Sequence, residues 1–258
     1  MTTTAPTLLA PDEPDPVRLL RESGTSAFVL TADHAGKLIP RKLGDLGVAP
    51  ADQERHIAWD IGIAGVTERL SAALDATAVL QTYSRLVIDC NRDPSWPSAI
   101  PRVSEFTEIP GNAALTGGDR DARVAEIFSP YHDRIEALLD ARQAAGQPGI
   151  FIAMHSFTPV FKNQPRAVEV GVLFYRRTNL AEIMLELLRA ERTLVVGENV
   201  PYALTEDSDY SVPFHAERRG LEHVEIEIRQ DLIAAPEGQD VWAERLARLL
   251  REALSRLG

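Results

Sequence analysis

The sequence predicts an α/β fold in which a mostly parallel sheet is covered by helices on both faces. Strand-length apolar runs alternate with longer runs of helical spacing, the pattern of strand–helix–strand units. Several apolar runs stop abruptly at His, Asp or Asn, as strands do where such a sheet opens onto a site. A chain of 258 residues with 45% apolar content is long enough to bury one large core.

Residues 1–15 are rich in Thr, Pro, Asp and Glu. They are expected to form a flexible N-terminal segment or a loosely laid strap, ahead of a single domain over 16–258. Asp15-Pro16 has the form of an N-cap followed by proline at the first helical position, which predicts a short helix through Arg21. Residues 27–31 read as a buried strand. Ile63, Val66, Leu70 and Leu74 then follow helical spacing. Strands are predicted at 77–81 and 86–88. The Pro-, Ser-, Gly- and Asn-rich stretch 91–118 is a long irregular segment of the kind that usually carries function. A helix is predicted over roughly 120–144, with strands at 150–154 and 168–174. A helix through Leu188 and a strand at 193–196 come next, then a turn-rich stretch over 197–222. His223 to Arg229 form the last strand and 241–257 an amphipathic closing helix. In that last strand Val224, Ile226 and Ile228 alternate with Glu225, Glu227 and Arg229, so one face is apolar and the other charged.

Composition narrows the function. The formal net charge of -11, with no basic run, repels a phosphate backbone and argues against nucleic acid. A single cysteine, Cys90, excludes an intramolecular disulfide and a multi-cysteine metal site. Its neighbourhood reads as core, and such usage fits a reducing cytoplasm. No apolar run reaches the ~18 residues a membrane helix needs. The first residues lack the basic and apolar blocks of a signal peptide. Association into a homo-oligomer is compatible with the sequence.

The polar residues at strand ends suggest a metal site. His34 and His155 each follow an apolar run directly, and neutral imidazole is the commonest metal ligand. Taken singly, either could be a packed strand-end residue; the pair points to a site. A catalytic zinc needs a third protein ligand. Asp60 is the choice, although it is equally placed to cap the following helix, and His56 competes for the role. Glu227 is the candidate general base, against a salt bridge to Arg229 or a solvated strand face. Arg85, Asn91 and Arg92 could bind a substrate carboxylate or an oxyanion, with Arg102 and Arg229 as further cations; an ion pair with Asp89 is the alternative for Arg85. His132 reads as a packed helix residue. Ser156 as a nucleophile is disfavoured, because its surroundings, Met154-His155-Ser156-Phe157-Thr158, lack the Gly-x-Ser-x-Gly turn.

The order of motifs resembles the N-formylglutamate amidohydrolase family, in its broad branch rather than the histidine-degradation enzyme. The matching text is Asp33-His34-Ala35-Gly36 with Ile39-Pro40, Trp59-Asp60-Ile61-Gly62, Tyr83-Ser84-Arg85-Leu86-Val87-Ile88-Asp89 with Asn91-Arg92, Ile109-Pro110-Gly111-Asn112, Met154-His155-Ser156, His215-Ala216-Glu217-Arg218, and the run from Glu227 to Ile233. The resemblance implies a three-layer α/β sandwich with a mixed, mostly parallel sheet, similar to zinc carboxypeptidases. It implies Zn²⁺ or another divalent metal on His34, Asp60 and His155, with Glu227 as base. It further implies Asn91 with Arg92 as a carboxylate clamp, assisted by Arg85, and His215 near substrate or oxyanion. The chain departs from zinc carboxypeptidases at Lys37, where their His-x-x-Glu pattern has the acid ligand. The implied substrate is a small anionic N-acyl amino acid, N-formyl-L-glutamate first, cleaved to formate and L-glutamate. Another N-acyl amino acid, a peptide C-terminus or an ester is the near alternative, and a non-catalytic binding protein on the same fold the distant one.

Overall fold

The computed structural model describes residues 7–147, 149–205 and 208–257. Its eleven strands are β1 (Val17–Leu20), β2 (Phe28–Ala32), β3 (Thr77–Gln81), β4 (Val103–Ser104), β5 (Thr107–Glu108), β6 (Ile150–Phe157), β7 (Val160–Phe161), β8 (Gln164–Pro165), β9 (Val170–Leu173), β10 (Val196–Glu198) and β11 (His223–Arg229). The α-helices are α1 (Pro50–Gln53), α2 (Ile63–Leu74), α3 (Gly117–Arg123), α4 (Ser129–Ala144), α5 (Asn179–Ala190) and α6 (Pro236–Leu257). Seven strands form one mixed sheet in the order β1-β3-β2-β6-β11-β9-β10. Strands β3, β2, β6 and β11 are mutually parallel, while β1 and β9 run against their neighbours β3 and β11.

The sheet divides the core into two layers. Phe28, Leu30, Ile152, Met154, Val224 and Ile226 face α2, α5 and α6. Val29, Val79, Phe151 and Ala153 face α4 and the segments around 83–112. This is the three-layer α/β sandwich expected. None of the described helices is long and apolar enough to cross a membrane.

Residues 1–6 of the expected N-terminal segment lie outside the described residues. Residues 7–15 form a strap: Leu8 and Leu9 donate their backbone N–H groups to Glu126, and Glu13 accepts from the N–H groups of Ala10 and Arg41. The helix expected at 16–21 is instead edge strand β1. Val17 and Leu19 pack on one layer and Leu20 on the other, a period of two, and the ladder to β3 overrides the Asp-Pro helix signal. The strand expected at 86–88 is a buried turn. Its carbonyls are satisfied from elsewhere, Leu86 by Asn112 and Val87 by the buried Arg123. The helix expected over 120–144 is interrupted by a π-turn at Val124–Phe128. Pro130 has no N–H for the ordinary helical ladder, and the wider turn absorbs that loss. The strand expected at 193–196 begins only at Val196.

Candidate active site

The parallel strands deliver their C-terminal ends to one edge of the sheet, where ligands bind in α/β folds. Asp33 and His34 follow β2. His155 lies near the end of β6, and its register partner on β11 is Glu227. Arg85, Asp89, Asn91 and Arg92 follow β3. The two hairpins β4–β5 and β7–β8 complete the surroundings. A cavity of about 410 Å³ opens there, lined by His34, Asp60, Arg85, Asn91, Arg92, His155, Glu225 and Glu227 and by Val103, Glu105 and Phe161 of the hairpins.

His34, Asp60 and His155 converge, with one potential ligand atom from each lying within 4.8 Å of the other two. Asp60 Oδ2 stands 3.1 Å from His155 Nδ1 and 3.5 Å from His34 Nδ1. Backbone geometry brings Asp60 there, because its N–H donates to the His34 carbonyl at 2.9 Å. Asp60 does not cap α2: Gly62 holds that position without a side-chain cap. His56 faces Glu105 at 3.5 Å on the cavity wall, away from the triad. The His34 Nε2 edge bonds to Asp89 Oδ1 at 2.7 Å, and its Nδ1, fully buried, has no hydrogen-bond partner. An orphaned ring nitrogen aimed at a carboxylate and a second imidazole fits a divalent metal ion.

The electrostatics agree. Burial alone would raise the Asp60 carboxyl, but His34 and His155 beside it hold it well below the usual carboxylate range. Asp89 is likewise held low, against burial, by Arg85 and His34. Burial would lower His155, yet Glu225, Asp60 and Asp33 push it well above the ordinary imidazole value. Carboxylates thus outnumber cations around these rings, and the histidines take up protons where a metal ion would otherwise supply the charge.

Asp89 organises this region. It accepts from His34 and from the Asn91 N–H through Oδ1, and from Arg85 Nε and Nη2 through Oδ2. A carboxylate behind a ligating imidazole fixes the ring and strengthens it as a ligand. Asp89→Asn is therefore expected to weaken metal affinity by about 10–100-fold, read by competition with a chromogenic chelator, while cooperative thermal unfolding persists.

Glu227 and Glu225 lie on the face of β11 shared with His155 and Ala153. Neither is solvated, because β11 is a central strand; Glu227 is 5% exposed. Burial pushes the Glu227 carboxyl up to about 8, and its Oε2 has no partner. Gly171 on β9 sits opposite it, and a Cβ there would lie 3.3 Å from the Glu227 Cβ and 2.3 Å from the Val200 carbonyl oxygen. Glu225 reaches within 3.9 Å of His155 Nε2.

The remaining expected residues separate. Arg85 lines the cavity, tied to Asp89 as its alternative reading held, with Nη1 3.6 Å from Asp60. Arg92 lines it as well, 3.5 Å from Asp209. Asn91 is on the wall, but its amide is committed: Oδ1 accepts from the Tyr210 and Ser211 N–H groups and Nδ2 donates to Asp209. His215 lies behind the wall, not in the cavity. The Cys90 carbonyl can only accept, so His132 Nε2 donates to it; His132 Nδ1 then accepts from His215 Nε2. Burial pushes His132 down to about 4 and His215 well below its ordinary value, so this pair is a neutral support for the Cys90–Asn91 backbone. Arg229 also lies outside the cavity, bonded to Asp231 and to carbonyls of 166–168 instead of Glu227. Arg102 borders a separate surface hollow. Ser156 Oγ donates to the Ile61 carbonyl, so no histidine activates it.

Asp89, Asp33 and Glu225 were missed as orienting groups, and Tyr202, Glu105 and Asp209 as cavity walls. Of the first three, only Asp33 stands beside a strand-end histidine in the sequence; Asp89 and Glu225 reach His34 and His155 through the fold.

A model of the family described as N-formylglutamate amidohydrolase matches residues 26–234. A crystal structure of a gene product from Agrobacterium tumefaciens is 38% identical, with a TM-score of 0.94, over 97% of this chain and 99% of that one. The crystal structure of N-formylglutamate amidohydrolase from Ralstonia eutropha JMP134 is 22% identical, with a TM-score of 0.66, over 93% of this chain and 97% of that one, a likeness of fold. No curated protein sequence matches significantly. With a family model spanning most of its length, the chain belongs to the N-formylglutamate amidohydrolase family, a family of hydrolases.

Proposed function

We propose that the protein is a metal-dependent amidohydrolase that cleaves a small N-acyl amino acid, with N-formyl-L-glutamate as the reference substrate. The observation that carries this is the convergence of His34, Asp60 and His155 in one cavity with the buried Glu227, whose Oε2 has no hydrogen-bond partner. His34, Asp60 and His155 would hold a divalent ion, zinc by donor chemistry. When bound, such an ion supplies Lewis acidity to the water and the scissile carbonyl.

Glu227 takes a proton from the attacking water and passes it to the leaving nitrogen, so that amide and water become formate and a free amine. Arg85, beside Asp60, faces the charge that develops on the carbonyl oxygen. Arg92 offers its guanidinium to the substrate carboxylate. The substrate is thus a small anion. The single buried Cys90 fits action in a reducing cytoplasm. Formate release from N-formyl-L-glutamate tests the reading. Release is expected from the metal-loaded protein, loss on chelation and recovery on adding zinc. A metal-replete protein that releases formate from no N-formyl amino acid would remove the activity from the proposal.

A further inference from the structure

Arg92 faces an acid of its own chain in the cavity. Asp209 Oδ1 lies 3.5 Å from Arg92 Nη1 and accepts from Asn91 Nδ2 at 3.1 Å. The other oxygen, Oδ2, accepts from the Ser208 hydroxyl at 2.5 Å. A guanidinium, an amide N–H and a hydroxyl thus converge on one carboxylate, a donor set suited to binding a carboxylate ligand. Asn91, Arg92, Ser208 and Asp209 all line the cavity that holds His34, Asp60, His155 and Glu227. The amide is held in place, because Asn91 Oδ1 accepts from the Tyr210 and Ser211 N–H groups and so directs Nδ2 at Asp209.

Arg92 cannot serve Asp209 and a substrate carboxylate equally well. Two carboxylates around one guanidinium leave a surplus negative charge, and in a partly buried site like charges repel more strongly than in bulk water. The other lining arginine gives no relief, since Arg85 donates Nε and Nη2 to Asp89. Asp209 also lines a second hollow, of about 380 Å³, together with Arg176 and Arg218. There Arg176 faces Glu217 at 3.6 Å, while Arg218 lies 4.6 Å over the Phe214 ring and has no carboxylate partner among the described residues. A displaced Asp209 side chain has both room and a cation on that side.

We infer that Asp209 is an internal competitor for the substrate carboxylate. It occupies the seat made by Arg92, Asn91 Nδ2 and Ser208, and a carboxylate ligand binds by taking those donors from it. The apparent affinity for an anion is then the intrinsic affinity reduced by the fraction of molecules in which the seat is free. Asp209 thereby limits anion binding without touching the reacting bond. This rests on the amidohydrolase reading above and deepens it, by naming how the substrate carboxylate is received.

Calorimetry on zinc-loaded Glu227→Gln protein, which measures binding without turnover, tests it. The probes are N-formyl-L-alanine and its neutral counterpart N-formyl-L-alaninamide. Adding Asp209→Asn is expected to tighten N-formyl-L-alanine by about tenfold or more and to leave the amide unchanged. Asp209→Ala, which also removes the charge, is expected to do the same and serves if the Asn variant does not unfold cooperatively. Unchanged or weaker binding of N-formyl-L-alanine overturns the inference, because Asp209 would then only orient Arg92. Equal tightening of both probes overturns it too, as a sign of a wider cavity, and so does failure of N-formyl-L-alanine to bind the variants. Turnover by the parent protein reads separately. Hydrolysis of N-formyl amino acids without tightening in the variants sinks the competitor and leaves the amidohydrolase reading. Tightening without hydrolysis does the reverse.

Discussion

Glu227→Gln is expected to lower kcat by about 10²–10⁴-fold, the range associated with a positioned general base. Glutamine keeps the shape and the polar end of the side chain but cannot take a proton from water. Substrate binding and metal content should change little, so the loss belongs in kcat and not in KM. The physical reason lies in burial. Glu227 sits on a central strand, 5% exposed, with one carboxylate oxygen free of partners. Burial raises its pKa to about 8, against the attraction of His155. A divalent cation nearby would pull that value down. The base works as its carboxylate, so kcat/KM is expected to rise with pH through this group's pKa, with the acidic limb below pH 8. The Gln variant should lose that limb. Steady-state kinetics over pH 5–9 with metal quantified in each sample decide it. Unchanged kcat at wild-type metal content would move the role to another group, with Glu225 the first to examine.

Much of the frame was readable because its signals are local. The helical spacing of Ile63, Val66, Leu70 and Leu74 survives as α2, and the alternation of Val224, Ile226 and Ile228 with Glu225 and Glu227 survives as β11. What failed depends on distant partners. Residues 86–88 look like a strand because they are apolar and buried, but Asn112 and Arg123 take the place of a ladder. Val17–Leu20 becomes a strand only because β3 offers an open edge. Asp60 and His56 stand one helical turn apart in sequence, and a single backbone bond from Asp60 to the His34 carbonyl separates them. Glu227 read on local grounds as a solvated carboxylate; its burial comes from β6 and β9 on either side. His215 was expected near substrate from motif order, and Arg229 as a cation for an anionic substrate. Neither ground carries side-chain direction, and the structure points both away from the cavity.

Asp60→Asn is expected to abolish stoichiometric metal retention and, with it, the thermal stabilisation that metal confers. The carboxylate is the one anionic member of the triad, and its Oδ2 faces both imidazoles. An amide keeps the volume and an acceptor for the Ser156 N–H, so the fold should survive. In the parent protein, metal at about 1,000 times its Kd adds roughly 4 kcal/mol, on the order of 10 °C in Tm for a chain of this size. The effect should depend on pH in a defined direction. In the metal-free protein His34 and His155 are raised above the ordinary imidazole value by their carboxylate neighbours. Their contribution to stability is fully present below about pH 6.5 and is lost as pH rises through the raised values. Metal must displace those protons, so it binds more tightly at pH 8 than at pH 6, and the gain in Tm should be larger there. Differential scanning calorimetry at both pH values, with and without zinc, measures it. A gain in Tm that survives in Asp60→Asn, or one larger at pH 6, would mean that the metal is held elsewhere.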